Sequence, residues 1–248
     1  MHQMVHGGLT TNAQTLTPTP SCPMKSVFIK ASEKIRLLIE NDIKNGVLLP
    51  GDSIDEAELE SQHRVSKTPI REALIQLQSE GLITSLPRGG MIVAKMSLQQ
   101  LLSLWELLAE LEAAAAKLCC QRINPQELRA LCAIHKDSLL LVAAQDDSGW
   151  QSSNLQFHEA IYQATRNPYL RQEVLRIRTR TGYYRMHAFG ALGHLEASYQ
   201  QHESIMNAFL AKDPELAAKA MALHMRPATD ASGLTNFIVN IPKESLAA

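Results

Sequence analysis

A chain of 248 residues has room for one large domain or two smaller ones. Its hydrophobic fraction of 45% suits a globular core, and scarce aromatics (5%) amid Leu/Ala-rich stretches favour helices over sheets. A net charge of −1 excludes a bulk positive excess as the basis of nucleic-acid binding. Between Lys25 and Lys95 ten Lys/Arg accompany ten Asp/Glu, so an anion-binding surface there requires segregated charge. No apolar run reaches membrane-spanning length, and no secretion signal opens the chain; a soluble cytoplasmic protein, away from membranes, is expected. Cys22, Cys119, Cys120 and Cys132 form no CxxC pattern and read as small packing residues in a reducing compartment.

Residues 1–24 carry no Lys, Arg, Asp or Glu and are rich in Thr, Pro and Gly, which predicts a flexible leader. From Lys25 a helical stripe runs through Val27, Ile29, Ile35, Leu38, Ile39 and Ile43, stopping at Asn45-Gly46. The run "LLPGDSI" reads as a turn, and a short helix follows to His63. "RVSKTP" then turns into a second helix, from about Lys67 to Glu80. Ser66 takes its N-cap place, Pro69 its first turn, and Gly81 its end. Ile70, Ala73, Leu74 and Leu77 form its buried face. "LITSLPRGGMIVAK" predicts two short strands around a Pro-Arg-Gly-Gly turn: a wing behind a helix-turn-helix.

The joint falls at "KMS", residues 95–97. Six helices are expected beyond it, at roughly 97–121, 125–146, 150–165, 168–188, 195–211 and 214–230. Three of them open on Asn-Pro or Asp-Pro, with proline at the first position. The fold class is mainly α: an N-terminal winged helix-turn-helix over 25–95 and a C-terminal all-α six-helix bundle over 96–232. Residues 233–248 are left as a weakly patterned tail.

The second helix of the head opens with polar groups that a core helix does not need. A helix N-terminus concentrates free N–H groups and positive dipole, which suits phosphate. Ser66 and Thr68 add hydroxyls, and Lys67 and Arg71 add charge. In a helix-turn-helix this end meets base edges in the major groove, where an arginine fork matches guanine. Arg88, Gly89 and Gly90 at the wing tip suit the neighbouring minor groove. The bland readings stand beside these: Ser66 as a cap only, and Arg71 paired with Glu58 or Glu72.

The stretch "LLPGDSIDEAELESQHRVSKTPIREALIQLQSEGLI" with "PRGGMIVAK" resembles the winged helix-turn-helix of GntR-family transcription regulators. The resemblance implies that Lys67, Thr68, Arg71 and the wing glycines contact DNA. Lys67 stands where arginine is usual, which removes a bidentate fork. Arg64 replaces a small turn residue, often glycine, so the turn is strained or gains a phosphate contact.

In the helical half Asn154 and His158 lie four apart on one face, and His202 and His224 fall on two later helices. Three imidazoles and an oxygen suit zinc, nickel or manganese; the same histidines also suit core or surface positions. No H-E-x-x-H occurs. This half resembles the FCD ligand-binding domain of the FadR subfamily, in its shorter VanR-like branch. The resemblance implies a divalent metal at Asn154, His158, His202 and His224, with Asn154 in an aspartate's place. Leu108 stands where an arginine commonly holds a carboxylate effector, so either the effector is less acidic than the family norm or Arg176, Arg178, Arg180 or Arg185 holds it; Arg176, Arg180 and Tyr183 are the leading candidates. The implied function is a transcriptional repressor, not an enzyme, that binds a palindromic double-stranded operator as a homodimer and answers to a small organic acid. No catalytic residue is assigned. A metal-dependent hydrolase using the histidines, or a winged-helix protein-interaction module, remains as alternative.

Overall fold

The computed structural model describes residues 29–190, 195–226, 235 and 238–247. The leader lies outside them. Helix α1 spans Ala31–Lys44, strand β1 Ser53–Ile54, α2 Glu56–His63, α3 Lys67–Ser79, β2 Ile83–Ser85 and β3 Met91–Val93. The body follows with α4 Leu98–Arg122, α5 Pro125–Ala143, α6 Asp147–Ala164, α7 Pro168–Gly190, α8 Leu195–Leu210 and α9 Pro214–Met225. The architecture is a winged helix-turn-helix joined to a helical body. No described helix is long and apolar enough to cross a membrane.

In the head, α1 packs on α3 through Ile35, Ile39, Ile43, Ile70, Ala73, Leu74 and Leu77, all buried. Helix α1 begins later than the stripe implies: Ile29 precedes it and is 56% exposed, and Val27 lies outside the described residues. The sheet has the order β1-β3-β2, antiparallel throughout. Strand β1 is an addition, because "LLPGDSI" was expected to be turn alone. Ser53 and Ile54 pair with Ile92 and Met91, which covers the wing's free edge. Two residues of alternating burial are too short to register as a strand from pattern.

The body's core is formed mainly by α4, α6, α7, α8 and α9, including Leu108, Phe157, Ile161, Val174, Ile177, Ile205, Phe209 and Met221. Caps fix the helix starts. Asn124 and Ser97 each close a capping box, with Glu127 and Gln100 respectively. Asp146 accepts from the Gly149 N–H, which starts α6 at Asp147, ahead of the expected 150. Among the described residues of the weakly patterned tail, Ile241 is buried, and residues 243–245 form a 3₁₀ turn packed on the joint.

Candidate functional site

The first turn of α3 is open. Ser66, Lys67, Thr68 and Arg71 are exposed, and the Ser66 hydroxyl makes no capping hydrogen bond. Ile70 and Leu74 anchor the opposite face, both fully buried. Arg71 is tied to Glu56, not to Glu58 or Glu72, with Nε 3.1 Å from the carboxylate. That pair is exposed and worth ~1 kcal/mol or less, so a phosphate or base edge can displace it. Among the described residues, the Arg64, Lys67 and Arg88 side chains have no ion pair. Arg64 caps α2 in the left-handed region, φ 52°, where the family's small residue would sit without strain. Gly89 and Gly90 both have positive φ (91° and 88°), as the tight wing tip requires.

Part of the acidic charge of the head is engaged away from the first turn of α3. Arg36 gathers Glu33, Glu40 and Glu80 on the side of the head that meets the body. Asp55 spends its carboxylate on the α2 N-terminus, accepting from the Ala57 and Glu58 N–H groups. Glu56 stays beside α3 as the partner of Arg71, and Glu72 is exposed on α3 itself.

The second arrangement lies inside the body. His158 and His202 are buried and His224 is half-buried. The Nε2 atoms of His158 and His202 each lie 3.2 Å from Nε2 of His224. Their tautomers follow from the other ring nitrogens. His158 Nδ1 lies 3.1 Å from a Glu112 carboxylate oxygen, and His224 Nδ1 lies 2.9 Å from the Gln201 amide oxygen. Both Nδ1 atoms therefore donate, and both neutral rings turn a bare Nε2 lone pair toward each other. Two lone pairs at that distance repel unless a cation or a proton lies between them. Nitrogens around a tetrahedral zinc sit about 3.3 Å apart, so the spacing fits an ion. The His202 ring is held by stacking on Phe157 (centroids 4.2 Å) and Trp150 (5.6 Å). Asn154, one turn before His158, has a buried Oδ1 with no hydrogen-bond partner, which fits a fourth, oxygen ligand.

Burial, then the Arg178 charge, pushes His158 down to about 4; burial, then His158, pushes His224 down to about 3. Burial and His224 hold His202 well below the usual range. All three are neutral near pH 7, the form a metal needs.

Glu112 is the residue that sequence reasoning missed. It is fully buried on α4 and accepts from Arg178 Nε (2.6 Å), the Tyr162 hydroxyl (2.5 Å) and His158. Burial alone would raise its carboxyl, but Arg178, His158 and Tyr162 together hold it well below the carboxylate range. A signal existed: position 112 falls on the buried stripe 101, 105, 108, 112, 115, 119 of α4. A carboxylate on such a stripe requires a partner.

The leading effector candidates do not join this cluster. Arg176 pairs with Glu173 at the surface, Arg180 lies against Gly81 of the head, and Tyr183 packs in the joint beside Met96. Arg178 and Arg185 face it instead, each with a buried Nη1 that has no partner. They are seven apart on α7 and so share a face, whereas Arg180 is turned about 200° from Arg178. Burial and the neighbouring Arg178 charge lower Arg185 to about 9. Leu108 is fully buried in the core. Cys119, Cys120 and Cys132 are free thiols, and burial pushes Cys119 up to about 12, which makes it inert.

The FCD domain family matches residues 103–227, and the family of bacterial regulatory proteins called gntR matches residues 31–93. The Nta operon transcriptional regulator of Aminobacter aminovorans is 42% identical over 100 residues, 40% of this chain and 44% of that protein. The HTH-type transcriptional repressor GlaR of Escherichia coli (strain K12) is 29% identical over 195 residues, 75% of this chain and 89% of that one. The solved structure of E. coli McbR/YncC shares the fold with a TM-score of 0.71 at 22% identity, covering 86% of this chain and 99% of that one. An exposed recognition helix before a Gly-tipped wing, followed by an FCD body, makes this chain a member of the GntR family of transcriptional regulators.

Proposed function

We propose that the protein is a repressor that grips a palindromic operator as a homodimer and is controlled by a small organic anion bound beside a divalent metal. The observation that supports the DNA part is the open first turn of α3, with Ser66, Lys67, Thr68 and Arg71 exposed on a helix anchored by its opposite face. Lys67 and Arg71 meet the major groove; Arg88, Gly89 and Gly90 meet the minor groove; Arg64 meets a phosphate. Such a regulator works in the cytoplasm, where its operator is.

His158, His202, His224 and Asn154 would hold the metal, whose positive charge would fix one effector oxygen. Support comes from the facing Nε2 lone pairs and the orphaned Asn154 oxygen. Arg178 and Arg185 offer their unpaired Nη1 donors to a second anionic group. Glu112 positions His158 and restrains Arg178. The effector acts only through its affinity difference between DNA-competent and incompetent arrangements.

Two measurements test this. Binding to DNA fragments selected by the protein from a random pool, over a salt series, should give a steep log–log slope; a flat slope favours the protein-interaction reading. Elemental analysis should find near-stoichiometric zinc, nickel or manganese in the parent and a loss in His202→Ala. Metal absent from both refutes the metal part alone.

A further inference from the structure

The joint between head and body is tied down by the far end of the chain. Met96 bridges in parallel with Leu246, and the Ala247 N–H donates to the Met96 carbonyl at 2.9 Å. The Met96 N–H donates to the Tyr184 hydroxyl at 3.2 Å, and that hydroxyl donates to the Ser245 carbonyl at 2.9 Å. The Lys95 ammonium reaches the Glu244 carbonyl at 2.6 Å. Beneath these bonds Met96, Leu101, Trp105, Tyr184 and Ile241 form a buried apolar cluster, with Tyr184 1% and Ile241 2% exposed. The Met96 N–H is thus satisfied by α7 and its carbonyl by the tail, so bending the joint there requires breaking both bonds.

Helix α7, which carries Tyr184, also touches the head. The Thr179 hydroxyl, which bonds the Leu175 carbonyl at 3.0 Å, lies 3.3 Å from a carboxylate oxygen of Glu40 on α1. The Arg180 guanidinium lies 3.0 Å from where a Cβ on Gly81 would stand, just past the end of the recognition helix. We propose that residues 238–247 are a strap that locks the joint onto α7 through Tyr184, so that the head moves with α7 instead of swinging freely. Tyr184 is a positioning residue: one hydroxyl joins the joint, the strap and α7. The device stands on its own contacts and survives failure of the metal reading. Its consequence is functional, because recognition helices on free tethers would sample orientations irrespective of the state of the body.

The test is limited trypsin digestion of the full-length protein, following cleavage after Lys95 by mass, beside Tyr184→Phe, Leu246→Asp and a chain lacking residues 238–248. Leu140→Ser, at an exposed position on α5, serves as control. Tyr184→Phe removes one oxygen and two hydrogen bonds, so cleavage after Lys95 should rise on the order of ten-fold. Leu246→Asp and the shortened chain should match or exceed it, while cleavage inside α4–α9 stays at the parent rate. Equal cleavage after Lys95 in the parent and Tyr184→Phe overturns the strap, even if the shortened chain fails to fold. Faster cleavage spread over the whole body also overturns it, because the hydroxyl would then be serving general stability.

Discussion

Replacing Glu112 by Gln probes the centre of the body with almost no change in shape. The carboxylate takes three donors: Arg178 Nε at 2.6 Å, the Tyr162 hydroxyl at 2.5 Å and His158 Nδ1 at 3.1 Å. An amide offers one acceptor oxygen, and its NH₂ must face one of those donors. The Arg178 charge then stays buried without its counter-ion. Breaking a buried pair of this kind costs about 3–5 kcal/mol, a value that already includes the unpaired donors. For a helical body of this size the loss corresponds to a fall in Tm of roughly 10–15 °C. Melting should be followed by far-UV circular dichroism in chelator, so that bound metal does not mask the change. Glu112→Met combined with Arg178→Met should recover part of the loss, because removing both charges leaves none uncompensated. Zinc affinity should fall 10–100-fold in Glu112→Gln, since His158 loses the carboxylate that fixes its tautomer. A Glu112→Gln protein that melts within about 3 °C of the parent would refute this account of the network.

Arg71→Ala should change stability by less than ~1 kcal/mol, since its ion pair with Glu56 is exposed, yet cost about 1–3 kcal/mol in binding to selected DNA by fluorescence anisotropy. Equal DNA affinity would remove Arg71 from recognition. Gly81→Ala should destabilise by roughly 1–2 kcal/mol in urea melts, because Gly81 has φ +75° and Arg180 closes the space beside it. Metal-free protein should lose stability in acid. His158 and His224 have folded values of about 4 and about 3, below the ordinary histidine value of 6.5, so the unfolded chain takes up protons first. Their contribution is complete above about pH 6.5 and is lost as pH falls from there through about 4 for His158 and about 3 for His224. Chelated melts at pH 7.5 and 5 check this, and an equal or higher Tm at pH 5 contradicts it.

Much of the head and the six helices α4–α9 were legible in one dimension, because their signals are local. Ser66, Pro69 and Gly81 mark the start and stop of α3 within a few residues. Asn124 and Asp213 cap helices that open on proline. The three histidines were named as a set through family resemblance, whereas spacing alone placed only Asn154 and His158 on one face. What the pattern could not supply was which side of a helix meets which neighbour. Arg176, Arg178, Arg180 and Arg185 are equivalent as letters; only the packing of α7 sends two to the cluster, one to the head and one to solvent. Glu112 needed partners from α6 and α7, some 46 and 66 positions away, before its burial made sense. Strand β1 and the strap have no local signature, because a strand of two residues and a lone bridge draw their stability from what they pair with. Local sequence thus determined where helices begin and end and which groups carry chemistry. Tertiary structure alone decided which of those groups meet, since desolvation and pairing of charge exist only once distant segments are packed together.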